Sequence, residues 1–490
     1  MNPRRGLAAT VVASSVPMFL VALNNLVVTN ALPEIGRDLG GGLDDLQWVV
    51  NAYVLAFAGL QLTAAALGDR LGRRRLFVIG ILVFVAASAA CALATTTPAL
   101  IAARVAQGIG AAAVFPLSLT LLAAGVSEKR RNLAVGLWGA VSGTAVAVGP
   151  LVGGAVTEGL SWQWIFWVNV PIGLAAIGLV FRVLGESKGT GRGLDLPGMV
   201  LGGAAITTAV WAIVEAHGRG WTDSVILGAF GAAAALLVLF VLWERRTADP
   251  LLPLTFYRTR PFVFSNLVSL AMYFGVFGSI FLLVQYLQGP LGYSPMEAGV
   301  RTLPWTLMPM FLAPVAGMLT SRIGGGPLMA AGLGLQAIAL FWIGTLADVN
   351  LAYTSLIPAM VVAGIGMGLT FAPNSAVVLA SVKPEEHGKA SGANSTIREI
   401  GGALGVAVLA TVFQDNGGVV GPSPAGPTAF FDGLVPALYV GAAVVAAGAL
   451  AGALIPRLKR AAKPEAEGTA VQRDEAPAYN GAGEHTQVTV

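Results

Sequence analysis

Long apolar stretches, separated by short polar segments, run along the chain from near its start to about residue 456. A bilayer core needs about 20 consecutive apolar residues for one helical crossing. The pattern therefore predicts an all-α membrane protein with fourteen transmembrane helices. These lie near residues 8–32, 46–68, 75–95, 98–124, 133–157, 164–184, 196–216, 224–244, 263–288, 296–320, 327–346, 352–382, 390–413 and 434–456. The polar, Ala/Glu/Gly/Pro/Lys-rich segment 457–490 predicts a disordered tail.

The composition supports this picture and removes several functions. Of the 490 residues, 56% are hydrophobic and 11% are charged, against about 25% charged in a typical soluble domain. Cys91 is the one cysteine, and His217, His387 and His485 show no spacing typical of a metal site or a catalytic triad. No phosphate-binding G-x-x-x-x-G-K-[ST] loop occurs. We therefore predict no catalytic residue, metal or cofactor, and we expect an ion gradient or a partner ATPase to drive any transport.

The basic residues predict the orientation of the helices. With the N-terminus in the cytoplasm, 24 of the 29 Lys and Arg residues fall in cytoplasmic segments. Two, Arg37 and Arg219, fall in outer loops, and three, Arg104, Arg301 and Arg398, fall inside spans. Cytoplasmic loops of membrane proteins carry an excess of Lys and Arg. We therefore expect both termini to be cytoplasmic.

A short internal repeat predicts two equivalent halves. Residues 65–72 follow the second span, and residues 317–324 follow the tenth with the same small-x-Leu-x-[Asp/Ser]-Arg-x-Gly pattern, 252 positions later. The same offset places the first span on the ninth. We predict an N-terminal six-helix half (1–185), two inserted helices with linkers (186–262), a C-terminal six-helix half (263–456) and the tail (457–490).

Two glycine-containing motifs suit moving parts. The turn after the second span contains Asp69, Arg70, Gly72 and Arg73, and we interpret it as a gate, although simple anchoring of the topology or of anionic lipids would use the same arginines. In the fifth span, Gly139 and Gly143 are four residues apart, a spacing that lets helices approach closely. This span also contains Gly149, Pro150, Gly153 and Gly154, and Pro150 favours a kink.

Charged residues inside spans are candidates for ion coupling. A charge at membrane depth costs roughly 2.5–3.5 kcal/mol and needs a partner or a wet cavity. Counting from the span ends at 1.5 Å per residue places Arg104 at the level of Asn24, so we expect the two to meet. Arg398 and Glu399 point about 100° apart on one helix. Burial favours a neutral carboxyl and a nearby arginine favours a charged one, a balance that allows Glu399 to carry a proton; a local salt bridge is the alternative.

Polar or aromatic side chains within or close to spans are candidates for a substrate cavity. They are Asn25, Asn51, Gln61, Trp138, Arg301 and Asn394.

These motifs, in this order, resemble the fourteen-helix drug:proton antiporter family of the major facilitator superfamily. The turn around Asp69, the stretch 104–111, the glycines and proline at 149–154, the stretch 162–173, the stretch 292–295 and the stretch 398–405 all resemble its motifs, over nearly the whole chain to about 456. Gln163 stands where arginine is usual. The resemblance implies an alternating-access bundle that exports hydrophobic, often cationic, drugs or antibiotics against protons. It would work as a monomer in the bacterial inner membrane, among membrane lipids and without nucleic acid.

One residue departs from the family pattern. Asn24 stands where the family usually has aspartate, and an amide neither releases a proton nor neutralises Arg104. Either proton coupling has moved elsewhere, first of all to Glu399, or the substrate differs, or the residue was substituted to trap one state. Export of a lipid, siderophore or endogenous metabolite is the alternative function. The short outer loops, poor in His, Asp and Glu pairs, oppose a membrane enzyme, and the short tail opposes a sensor.

Overall fold

The computed structural model describes residues 6–40, 43–159, 161–189, 195–348, 351–418 and 429–456, and in these residues it contains helices and no β-strand. The side chains of Asn25 and Pro150, and the surroundings of Gly154, are outside this described part, as is the predicted tail at 457–490. The fold class predicted from the sequence is therefore confirmed as all-helical.

The first half contains seven α-helices because its sixth span is divided in two. They are α1 (Leu7–Leu39), α2 (Leu43–Leu71), α3 (Arg73–Ala92), α4 (Thr97–Gly125), α5 (Glu128–Gly159), α6 (Trp164–Trp167) and α7 (Asn169–Val183). The inserted pair is α8 (Leu196–Arg219) and α9 (Ser224–Glu244), and a short 3-10 helix (Leu254–Arg258) follows it.

The second half contains eight α-helices because its second span is divided in three. They are α10 (Arg260–Gln288), α11 (Pro295–Arg301), α12 (Leu303–Thr306), α13 (Met308–Ile323), α14 (Gly325–Leu346), α15 (Tyr353–Ala380), α16 (His387–Asp415) and α17 (Ala429–Ala453).

Prolines explain where the tenth predicted span is interrupted. The sequence predicted one helix over 296–320, but α12 and α13 restart it, with Pro304 and Pro309 in their first turns. A proline is well tolerated there because its missing N–H would have had no partner within the helix.

Thirteen helical segments of the described chain are long and apolar enough to cross a membrane. The exception among the fourteen predicted spans is α5, which begins with the charged residues 128–131 and is rich in glycine. This helix nevertheless belongs to the bundle, since it packs against α1 on one side and α13 on the other.

Two helix pairs join the halves. The contacts between α5 and α13 form one seam, and those between α2 and α16 form the other. The inserted helix α8 packs on both α2 and α16, so it covers the second seam from outside. Any cavity between the halves is therefore bordered by these four helices.

The predicted internal repeat is visible in the backbone. Gly72 precedes α3 with φ 115°, and Gly324 precedes α14 with φ 96°. These are positive φ values that side chains of L-residues rarely adopt. The two turns thus have the same glycine requirement in the two halves. We call the end of the bundle that carries them the inner end, which the charge pattern predicts to be cytoplasmic.

Candidate functional site

A small cavity lies where the two halves meet. Its wall is formed by α1, α2, α4 and α5 from the first half and by α10, α15 and α16 from the second. The lining residues are Val21, Ala22, Phe57, Phe115, Ser142, Met272, Tyr273, Val276, Phe277, Met367, Phe371 and Glu399. The space inside measures about 40 Å³, enough for a few waters, whereas drug-sized ligands occupy pockets of roughly 300–1,000 Å³. The halves must therefore separate to admit such a ligand.

A continuous series of aromatic rings crosses the boundary between the halves. In the first half, the centroids of Phe57 and Phe115 are 5.9 Å apart, and those of Phe115 and Trp138 are also 5.9 Å apart. Trp138 lies 6.0 Å from Phe371 of the second half, which lies 6.3 Å from Tyr273. These spacings are typical of favourable ring pairs. The sequence analysis did not identify this series, because contacts between distant helices leave no periodic signal.

Arg104 is fully buried in the first half and is held by neutral groups. Its Nη1 donates to Asn24 Oδ1 at 2.6 Å and to Gln107 Oε1 at 2.6 Å, and its Nε donates to the carbonyl of Val49 at 2.9 Å. Its guanidinium lies 4.2 Å from the ring centroid of Tyr53. The contact expected between Asn24 and Arg104 is thus present. Within the described residues, no carboxylate pairs with this cation.

Arg398 occupies a comparable position in the second half. Its Nη2 donates to Ser375 Oγ at 2.8 Å and to Asn374 Oδ1 at 3.2 Å. Its guanidinium lies 5.1 Å from the centroid of Phe371 and 5.6 Å from that of Tyr273. Both rings line the cavity, so this cation lies directly behind the cavity wall.

Glu399 brings a carboxyl group to the cavity. It is half-buried, lines the wall from α16, and forms no ion pair with Arg398 or with any other described residue. Neighbouring residues on a helix point about 100° apart, which explains why the arginine reaches α15 while the glutamate faces the cavity. The local salt bridge considered from the sequence is therefore absent between these two residues.

The predicted gating motif joins the halves at the inner end. Arg73 is 3% exposed, and its Nε donates to Asp69 Oδ1 at 2.7 Å. Its Nη2 also donates to the carbonyl of Glu385 at 3.0 Å, and the backbone N–H of Lys389 donates to Asp69 Oδ2 at 3.2 Å. Since Glu385 and Lys389 flank the start of α16, these bonds tie the first half to the second. We call this group the inner latch.

The segment after α7 completes the inner latch. The N–H of Gly189 donates to the carbonyl of Asp69 at 2.7 Å, and the Glu186 carboxylate accepts from the backbone N–H groups of Arg74 and Arg75 at 3.0 and 3.2 Å. A carboxylate at a helix N-terminus satisfies free N–H groups and interacts favourably with the helix dipole. The sequence analysis missed this role of Glu186, because the residue lies more than a hundred positions from its partners.

The remaining gating residue, Arg70, faces another space. It helps to line a cavity of about 1260 Å³ between the inner latch and the inserted helices. Gly72 supplies the positive φ described above.

The glycines predicted as an antiporter motif lie on one seam. A Cβ at Gly143 would come within 2.8 Å of Pro309 Cβ, and one at Gly139 within 3.1 Å of Phe371 Cδ1. Gly149 and Gly153 are buried farther along α5, whose backbone is helical through Pro150. The motif therefore permits close approach of α5 and the second half.

The residues predicted to line a substrate cavity lie outside this wall in the present conformation. Asn51 is half-buried, and both amide atoms of Gln61 are buried without a partner in the described structure. Trp138 packs behind Phe115 and Phe371. Its contact with the cavity is therefore indirect.

Two further candidates have local partners. Arg301 lies with its guanidinium 3.6 Å from the ring centroid of Tyr293. Asn394 donates to Asn266 Oδ1 at 2.9 Å and to Ser269 Oγ at 2.8 Å. The side chain of Asn25 is outside the described part. A role of these six residues in substrate binding stays a prediction.

The comparison with protein families matches residues 16–406 to the Major Facilitator Superfamily. Among curated relatives, the chain is 36% identical over 416 residues to the tetracenomycin C resistance and export protein of Streptomyces glaucescens, covering 84% of this chain and 77% of the relative. It is 39% identical over 421 residues to the puromycin resistance protein pur8 of Streptomyces alboniger, covering 84% and 82%. It is 34% identical over 405 residues to the multidrug resistance protein Stp of Mycobacterium tuberculosis, covering 82% and 75%.

Solved structures show the same fold at low sequence identity. The human organic anion transporter MFSD10 matches with a TM-score of 0.66 at 14% identity, covering 92% of this chain and all of that chain. The proton:xylose symporter XylE matches with a TM-score of 0.65 at 15% identity, covering 92% and 96%. These two similarities concern the fold alone.

Proposed function

Because the chain belongs to the major facilitator superfamily, we propose that this multi-pass membrane transporter exports drug-like small molecules from a bacterial cell in exchange for protons. The relatives named for resistance to, or export of, tetracenomycin C and puromycin support drug efflux. Proton exchange is the finer part of the proposal, and it depends on the residues of the cavity.

The observation that carries proton exchange is the position of Glu399. It is the one carboxyl group in the described wall of the cavity, and it lies at the boundary between the halves without an ionic partner there. A carboxyl group in such surroundings is poised between its neutral and charged forms, because burial opposes the charge and the nearby Arg398 favours it. Its protonation therefore depends on whether the cavity faces a more acidic or a less acidic compartment.

The inner latch provides the second requirement, which is that the cavity opens to one side at a time. With Asp69, Arg73 and the start of α16 bonded together, the inner end is closed. In our mechanism, Glu399 takes up a proton from the outer side as substrate leaves, and the inner latch then opens. The proton is released to the cytoplasm, and the next substrate binds. An amide at position 24 takes no part in proton exchange.

The test uses purified protein in liposomes with an imposed pH gradient and tetracenomycin C as the probe, since that compound is named for a relative. The unaltered chain should accumulate the compound against its concentration gradient, and an ionophore that collapses the pH gradient should abolish this accumulation. Glu399→Gln should lower uphill accumulation at least about tenfold while retaining downhill flux, because the amide keeps the size of the side chain but cannot exchange a proton.

The matched control is Glu34→Gln, which removes a carboxylate that pairs with Arg37 at the exposed end of α1. It should retain coupled export. Full uphill accumulation by Glu399→Gln would exclude Glu399 as the proton carrier, and accumulation that is indifferent to the ionophore would exclude proton exchange altogether.

A further inference from the structure

The charges around the cavity are unequal in sign. Two buried guanidinium groups, Arg104 and Arg398, lie behind its wall, while Glu399 provides the one acidic group among the described residues that surround it. The three groups sum to one positive charge when Glu399 is ionised and to two when it is neutral. A permanent cation in the cavity therefore meets a repulsive field in either state, and the low dielectric of a membrane interior strengthens that repulsion.

The aromatic wall does not offset this repulsion. A cation usually binds to aromatic rings through the negative faces of their π systems. Here Arg398 already lies 5.1 Å from the centroid of Phe371 and 5.6 Å from that of Tyr273. On the opposite side, Arg104 lies over Tyr53, whose ring stacks on Phe57 of the cavity wall at 5.7 Å. Rings that already interact with a cation are poorer partners for a second one.

The same wall suits flat, uncharged molecules. Five of its twelve lining residues are aromatic and two are methionines, so most of the contact area favours stacking with apolar rings. The polar groups of the wall are few, and Glu399 is the strongest hydrogen-bond acceptor among them. A ligand that donates a hydrogen bond would engage the ionised carboxylate, and protonation of that carboxylate would weaken the bond.

We infer that the cavity selects neutral, flat aromatic molecules that donate a hydrogen bond to Glu399, and that it disfavours permanent cations because Arg104 and Arg398 are not neutralised. This inference rests on the proposed function and specifies its substrate class. It also gives the asparagine at position 24 a consequence: Asn24 holds Arg104 in place at 2.6 Å without cancelling its charge.

The test measures equilibrium binding to the full chain in lipid nanodiscs, with no gradient imposed. Three probes share one ring system: anthraquinones that carry a hydroxymethyl, a methoxymethyl or a trimethylammoniomethyl group. The hydroxymethyl compound should bind about tenfold more tightly than either of the others, because the methoxymethyl group lacks the donor and the trimethylammonium group carries the repelled charge. Equal or tighter binding of the cationic probe to the unaltered chain would overturn the inference, as would failure of all three probes to bind.

A charge substitution tests the cause of the selectivity. Asn24→Asp adds a carboxylate beside Arg104 and should raise the affinity for the cationic probe about tenfold, equivalent to about 1.4 kcal/mol. The matched control, Asn416→Asp, adds the same charge at the exposed end of α16 and should leave all three affinities unchanged. An equal gain in both variants would show a general effect of net charge and contradict the role of Arg104.

Binding and transport fail separately in this design. The predicted binding order without gradient-driven export would contradict the proposed function and leave the selectivity standing. Gradient-driven export together with a preference for the cationic probe would do the reverse.

Discussion

The turn between α2 and α3 and the turn between α13 and α14 occupy equivalent places in the two halves. Both contain a glycine with positive φ, 115° at Gly72 and 96° at Gly324. Their other side chains differ. At the positions where the first turn has Asp69 and Arg73, the second has Ser321 and Gly325.

This difference determines what each turn does. The first turn forms a buried ion pair and reaches the start of α16, whereas Ser321 is exposed and bonds only to the carbonyl of Met318 in its own helix, at 2.8 Å. The repeat has thus kept the backbone and retained the latch on one side. A single latch is sufficient, because one set of bonds between the halves closes the inner end.

The largest expected effect comes from breaking the ion pair. Asp69→Ala leaves the guanidinium of Arg73 buried without its carboxylate, and removal of one partner of a buried pair costs about 3–5 kcal/mol. We expect the inner end to open. Spin labels at the exposed residues Lys129 and Lys383 should report a longer distance between the halves.

The equivalent substitution in the second half is the control for this effect. Ser321→Ala removes an exposed hydroxyl and should change stability by less than about 0.5 kcal/mol and leave the label distance unchanged. Equal opening in the two variants would mean that the inner latch does not hold the halves together.

A smaller effect tests the shared backbone. Gly72→Ala and Gly324→Ala each place a side chain where φ is positive, which costs of order 1–3 kcal/mol. The new Cβ at position 72 would also come within 2.9 Å of the Glu186 carboxylate that caps α3. Thermal unfolding in detergent should therefore show a lower Tm for both variants, with the larger decrease for Gly72→Ala. An unchanged Tm for Gly324→Ala would show that the two turns are less alike than their φ values indicate.

The comparison also shows what the sequence could and could not predict. Hydropathy predicted nearly every helix, and the 252-residue offset predicted that position 324 would repeat position 72. Depth counting predicted the contact between Asn24 and Arg104, because both residues lie on helices whose ends the hydropathy pattern marks.

Other features depend on which helices are neighbours, and no local pattern encodes that. The series of rings from Phe57 to Phe371 and the capping of α3 by Glu186 join residues that are far apart in the chain. The six polar or aromatic residues predicted to line the cavity were chosen by residue type alone. The wall instead consists mainly of aromatic and methionine side chains, whose type is equally common in a simple core.

The smallest expected effect comes from adding half of a latch to the second turn. Ser321→Asp restores the acidic residue of the first turn, but its arginine partner is missing because position 325 is glycine. We expect a change in unfolding free energy within about 0.5 kcal/mol, as for most exposed substitutions. The arginine cannot simply be added, because a Cβ at Gly325 would collide with Val377 of α15. Close packing of α14 on α15 therefore occupies the place where the first half has its ion pair. A gain of more than 1 kcal/mol by Ser321→Asp alone would require a partner for the new carboxylate outside this turn, and it would contradict the view that close packing excludes a second latch.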